Sequence, residues 1–148
     1  MKMTKPTKTA EVVRAWHLID VSGKILGREA TAIAQILIGK SKPYFAKNID
    51  CGDYVVVVNA KKVAASGKKE KDKVYTRYSG YPSGLHKRTL GELREVKPTE
   101  IIRHAVSGML PKNKLRASML KRLYVFEGSE HKYGEHFKGE TKQEVASA

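Results

Sequence analysis

Five consecutive residues near the middle of the chain, Tyr54-Val55-Val56-Val57-Val58, restrict the fold more than any other stretch. The valines are continuous and do not alternate with polar residues. A strand buried on one face shows period-two alternation, whereas a strand apolar on both sides must be covered on both sides. That is the position of a central strand in a parallel sheet. Parallel neighbours in turn require crossover connections, usually helices.

The flanking sequence supplies them. Trp16-His17-Leu18-Ile19-Asp20 reads as a short strand closed by a turn at Ser22-Gly23. A helix over residues 27–37 follows, with Leu26, Ala30, Ile33, Ala34 and Leu37 on one face and Gly39 as its stop. Residues 40–53 form a loop before the valine strand. A short helical turn is expected over 59–64 and a charged loop over 68–73. Val74–Tyr78 is a further strand, because Val, Tyr and Thr favour extended backbone. Helices are expected over 89–96 and from Pro98 to the break at Pro111, with Ile102, Ala105, Val106 and Met109 inward. Asn113 would cap a helix through Arg122, with Leu115, Met119 and Leu120 inward. Leu123-Tyr124-Val125-Phe126 is the last strand. Strands alternating with helices predict an α/β class: a three-layer α/β/α sandwich with a mostly parallel sheet of about four strands. Residues 1–13 read as a flexible basic arm, 14–128 as a single domain and 129–148 as a polar tail.

Charge indicates the partner. The net charge is +14 over 148 residues. Residues 61–94 carry ten Lys/Arg against three acids, and residues 95–126 carry seven against two. The excess therefore sits among core elements, not in a detachable tail, which points to a folded basic face and a polyanion. A membrane surface would call for an amphipathic helix with a large apolar face, and none is visible. No apolar run approaches the ~20 residues of a membrane span. With one cysteine, Cys51, no internal disulfide forms, which fits a reducing, cytoplasmic setting.

The densest cluster is residues 73–88. It holds Tyr75, Tyr78 and Tyr81, the cations Lys73, Arg77, Lys87 and Arg88, one histidine and no acid, around a turn at Ser79-Gly80-Tyr81-Pro82-Ser83-Gly84. Cations neutralise phosphates, tyrosine rings stack on bases, and glycines such as Gly80 and Gly84 let backbone approach a bulky anion. The plain alternative is a solvated basic hairpin or loop. A second cluster, Lys112, Asn113, Lys114 and Arg116, lies at a helix start, where free N–H groups favour anions. Arg28, at the start of the first helix, is a further candidate phosphate contact, as are Lys61 and Lys62 after the valine strand.

Catalytic machinery is not visible. Gly23-Lys24-Ile25-Leu26-Gly27-Arg28 occupies a strand–helix turn but lacks the spacing of a dinucleotide or P-loop motif. Asp50-Cys51-Gly52-Asp53 reads as a turn before the central strand, since no histidine is paired with the cysteine. His131 and His136 have no cysteine near them, which argues against a metal site. No cofactor, metal or small-molecule substrate is expected.

Several short stretches match one family in order and spacing. They include Leu26-Gly27-Arg28, Asp50 with Gly52-Asp53, Asn59-Ala60-Lys61, Gly67-Lys68, Ser79-Gly80-Tyr81-Pro82 and Gly108-Met109-Leu110-Pro111-Lys112-Asn113. Across residues 16–131 the chain resembles the large-subunit ribosomal protein L-thirteen family of bacterial type. The resemblance implies a four-stranded parallel sheet, a structural role on large-subunit (23S-type) rRNA early in subunit assembly, neighbouring ribosomal proteins as further partners, and no catalysis. It also implies RNA contact along stretches containing Lys68, Tyr75, Arg77, Ser79, Tyr81, Gly84, Lys87, Lys112, Asn113 and Arg122. Tyr78 and Ser83 depart from the family's usual His and Gly, and Arg116-Ala117 stands where Gly-Arg is commoner. The rival readings are an off-ribosome regulatory RNA or mRNA binder and, further off, an RNA- or nucleotide-processing enzyme.

Overall fold

The computed structural model describes residues 8–137. Its strands are β1 (Trp16–Asp20), β2 (Tyr54–Val58), β3 (Val74–Tyr78), β4 (Leu85–Thr89) and β5 (Leu123–Val125). Its α-helices are α1 (Leu26–Ile38), α2 (Lys69–Asp72), α3 (Leu90–Val96), α4 (Pro98–Met109) and α5 (Arg116–Lys121).

The valine strand is central, as its composition requires. The main sheet is parallel in the order β1-β2-β5, with Trp16 opposite Tyr54 and Val55 opposite Leu123. Val55, Val56 and Val57 are fully buried. Val55, Val57 and Leu123 join the core built with α1 (Leu26, Ala30, Ile33, Ala34, Leu37) and α4 (Ile101, Ile102, Val106). The helical stripe expected for α1 is the buried set found, and Gly39 ends that helix at φ +76°.

The opposite sheet face is covered by rings. Trp16 stacks on Tyr54 at 4.4 Å and on His136 at 4.1 Å, while Tyr124 meets Tyr133 at 4.4 Å. Tyr133, just before the 3-10 helix Gly134–Phe137, and His136 within it bring the C-terminal segment onto this face. So residues 129–137, read as a polar tail, form part of the second covering layer. The rest of that tail and residues 1–7 lie outside the described residues.

Four expectations are corrected. The parallel sheet has three strands, not four; β3 pairs antiparallel with β4 in a separate two-stranded ribbon. The reason is composition: β3 carries Thr76 and Arg77 on opposite faces, so it cannot sit in a sheet covered on both sides. The charged loop at 68–73 contains the short helix α2. Asn113 does not cap α5, which starts at Arg116 without a side-chain cap, and Met109 is 43% exposed, not inward.

One junction ties the layers together. Arg122, immediately before β5, is 5% exposed. Its Nη1 and Nη2 donate to the two carboxylate oxygens of Asp50. Its Nε donates to the Asp53 carbonyl and its Nη2 to the Leu37 carbonyl, each at 3.3 Å. Leu37 O is one of the carbonyls left open at the end of α1, where a cation is favoured. The Asp53 N–H takes its neighbour, Ile36 O, at 3.2 Å. Gly52 makes this approach possible: a Cβ there would lie 1.8 Å from Leu37 O. Asp53 then accepts the Ala15 N–H at 3.0 Å, pairs with Lys42 and meets His17 Nε2 at 3.1 Å, which holds the chain entering β1 beside the chain entering β2.

Removing one partner of a buried pair strands the other charge, at a cost of about 3–5 kcal/mol. Arg122→Ala should lower the urea unfolding free energy by that order, and Arg122→Lys, lacking the fork, should recover little of it. The pH response has a definite sign. Burial alone would raise the Asp53 carboxyl, but its contacts with Lys42, the Ala15 N–H and His17 outweigh burial and hold it below 3.8. A depressed folded-state value gives stability that is present above the unfolded value and lost as pH falls through the folded one. Stability should therefore decline below about pH 4, and Asp53→Asn should flatten that decline. Equilibrium unfolding of both proteins from pH 7 to 2.5 tests this; equal slopes would contradict it.

Candidate nucleic-acid interface

The ribbon of β3 and β4 carries the tyrosine- and cation-rich cluster. Its register puts Tyr75 opposite Arg88, Thr76 opposite Lys87, Arg77 opposite His86 and Tyr78 opposite Leu85. Strand alternation then sorts the side chains. Tyr75, Arg77, His86 and Arg88 share one face. Val74, Thr76, Tyr78, Leu85, Lys87 and Thr89 share the other. All four cations of the cluster are exposed, and Tyr78 and Tyr81 are 65% and 75% exposed.

The tip is a six-residue turn. The Ser79 N–H donates to Gly84 O and the Gly84 N–H to Tyr81 O, both at 3.0 Å. A Cβ on Gly84 would meet Ser79 Oγ at 2.0 Å and the Tyr81 carbonyl oxygen at 2.9 Å, so a side chain there would force Ser79 to turn away and the backbone of the turn to shift. Ser83 lies at φ +62°, in the left-handed region that disfavours an L side chain. The base is anchored by the Thr89–Glu92 capping box that starts α3, with the Thr89 N–H on Glu92 at 2.9 Å. Arg94 continues the anchor through Glu70 of α2 at 2.5 Å and the Lys61 carbonyl at 3.1 Å.

Two expected contact residues face inward. Tyr75 packs against the core and His104 (5.6 Å), its hydroxyl is buried without a partner, and burial pushes that hydroxyl up from 10.0. It is a base-of-ribbon packing residue, not an open stacking ring. Arg122 is buried, with its guanidinium committed to Asp50, Asp53 and Leu37, which removes it from any outer surface. Arg116 is half-buried and donates to Ser107 O and Oγ at 2.7 and 2.6 Å, fastening α5 to the end of α4.

The other candidates are exposed: Arg28 in the first turn of α1, Lys61 and Lys62 on the 3-10 turn after β2, Lys68 before α2, and Lys112, Asn113 and Lys114 after α4. Gly27, Lys73 and Met109 line one groove, so Arg28, the base of the ribbon and the segment after α4 border the same region. Lys61 and Lys62 lie apart from it, held by backbone bonds at the carboxyl ends of the strands. His86 and Lys69, not among the expected contact residues, are exposed on the same surface. The strand Leu85–Thr89 that places His86 beside Arg77 has no apolar alternation to announce it.

Among the described residues no catalytic group is assembled elsewhere. Cys51 is fully buried in the junction beside Arg122. Past the strand ends the Asn59 N–H donates to Gly128 O at 2.8 Å and the Val21 N–H to Val58 O at 3.3 Å, so the backbone pairing continues from the sheet into the loops. Among the described residues no group of three His, Cys, Asp or Glu is arranged to hold a metal ion.

A family model described as Ribosomal protein L13 matches residues 14–132, which include the sheet, the ribbon and both basic clusters. The chain belongs to the ribosomal protein L13 family. It is 53% identical over 131 residues to the large ribosomal subunit protein uL13 of Geobacter sulfurreducens, covering 88% of this chain and 92% of that one. The uL13 of Dehalococcoides mccartyi is 49% identical over 128 residues, covering 86% and 90%. That of Caldanaerobacter subterraneus is 52% identical over 126 residues, covering 85% and 88%. The family is a structural, non-enzymatic one, which agrees with the absence of a catalytic constellation in the sequence.

Ser83 offers a direct check on the ribbon tip. A non-glycine residue in the left-handed region costs about 1 kcal/mol or more, part of which glycine returns as unfolded-state entropy. Ser83→Gly should raise stability by about 0.5–1 kcal/mol in thermal or urea unfolding. An unchanged or lower midpoint would contradict the assigned turn.

Proposed function

We propose that this L13-family chain is a structural constituent of the large ribosomal subunit that binds large-subunit rRNA and supports early subunit assembly. The observation that carries the reading is the ribbon: an antiparallel pair standing on α3, without a carboxylate between Lys73 and Arg88, with its cations and two tyrosine rings exposed. Arg77, Lys87 and Arg88 neutralise phosphates, Tyr78 and Tyr81 meet bases or riboses, and the turn at Ser79, Gly80 and Gly84 lets backbone come close. Lys112, Asn113 and Lys114 form the second contact, with Arg28, Lys68 and Lys73 between. Recognition rests on RNA shape and backbone more than on base edges.

In this reading residues 14–128 form the rRNA-binding domain, 1–13 a basic arm and 129–148 a polar tail whose first part, to residue 137, packs on the sheet. Neighbouring large-subunit proteins are the remaining partners, and the site of action is the cytoplasmic ribosome. No helix among the described residues is long and apolar enough to cross a membrane.

The test is binding of the full chain to a large-subunit rRNA transcript over a salt series. Each neutralised phosphate contributes about −0.7 to −0.9 to the log–log slope. The triple variant Arg77→Ala, Lys87→Ala, Arg88→Ala should bind more weakly, with a slope shallower by about two to three and unchanged stability. Salt-independent affinity would sink the reading. Stoichiometric sedimentation with large subunits on a sucrose gradient separates it from an off-ribosome regulator.

A further inference from the structure

A groove of about 610 Å³ runs between the first turn of α1, residues 65–73 and the last turn of α4. We propose that it seats one unpaired nucleotide of the rRNA strand held by the ribbon, with the base against its apolar floor and a phosphate on Lys69 and Lys73. This rests on the rRNA-binding reading above and names a subsite within it.

Two glycines carry the inference. Gly27 is the second residue of α1, and Gly108 is the last but one of α4; both line the groove. Glycine weakens a helix relative to alanine. A Cβ built on either meets nothing within 4 Å, so no atom of this protein demands glycine there. Neither has a positive φ. Their common feature is the groove, and glycine is suited to a helix wall that a ligand approaches closely.

The lining fits a nucleotide. Ile25, Ala65, Ala105 and Met109 are apolar, and Ile25 and Met109 are left 36% and 43% exposed. A nucleobase offers a flat apolar face to such a floor. Among the titratable lining groups, Lys69, Lys73 and His104 stand against one carboxylate, Asp72. Neither lysine is in an ion pair among the described residues; Lys69 Nζ reaches only Ser66 Oγ at 3.1 Å, and Lys73 lies over the Tyr75 ring at 5.3 Å. Lys73 also begins the ribbon, so the groove continues the basic surface. The excess of cations favours a nucleotide over an apolar side chain from a neighbouring protein.

Stability and binding should move in opposite directions. The pair Gly27→Ala, Gly108→Ala should raise the melting temperature by about 2–4 °C. Gly108→Leu, which fills the groove, should fold normally and bind the large-subunit rRNA transcript about tenfold more weakly, with a salt slope shallower by about 0.7 to 0.9 for the one phosphate lost. If wild type binds the transcript and Gly108→Leu binds equally well, the groove assignment fails while the ribbon reading stands. If wild type shows no salt-dependent binding, the rRNA reading itself fails. A photo-crosslinker, benzoylphenylalanine, replacing Met109 in reconstituted large subunits gives an answer independent of folding of the leucine variant. Crosslinks to rRNA support the subsite, and crosslinks to protein alone overturn it.

Discussion

The fold depends on the buried Arg122 fork. α1 ends with open carbonyls, β2 begins one residue after Asp53 and β5 begins one residue after Arg122. The guanidinium reaches all three, through Leu37 O, Asp53 O and the Asp50 carboxylate. A charge this deep is tolerated because each of its three nitrogens donates to an acceptor. The same contacts align the amino ends of β2 and β5, which is what a parallel register with short strands needs. Gly52 belongs to the device, since any side chain there would occupy the space of Leu37 O.

This arrangement also explains the basic surface. Acids are few, and four of them are engaged by contacts within the molecule. Asp50 holds Arg122, Asp53 holds Lys42 and His17, Asp20 accepts from Asn59 and the Ser22 N–H, and Glu70 holds Arg94. What remains outside is mostly cationic, and on the ribbon wholly so. Of the excess positive charge, the four cations Lys73, Arg77, Lys87 and Arg88 sit on the ribbon with no carboxylate between them in the chain to offset them. Such a surface is suited to a polyanion, and the Thr89–Glu92 capping box with the Arg94–Glu70 pair fixes the base of the exposed ribbon.

Legibility followed the strength of the local pattern. The valine run and the helical stripe from Leu26 to Leu37 were readable because burial on a strand or helix imposes a period that survives in sequence. Leu85-His86-Lys87-Arg88-Thr89 was not readable as a strand. It has no buried face, so its extended form comes from hydrogen bonds to β3 and not from packing. Tyr75 looked like Tyr78 and Tyr81, because alternation tells which residues share a face but not which face meets the core. Arg122 looked like one more member of a basic cluster, and only its partner 72 residues earlier makes it structural.

The sequence alone determined the α/β class, the central strand, the charge distribution and, through an ordered set of short motifs, the family. Each of these is local or additive along the chain. Tertiary structure decided the number of strands in the parallel sheet, the covering of its second face by Trp16, Tyr133 and His136, and the division of the cations into buried and exposed. It also brought Gly27 and Gly108 to one groove. These depend on which distant groups meet, and the fate of a charged side chain is set by the acceptor it finds in space, not by its neighbours in the chain.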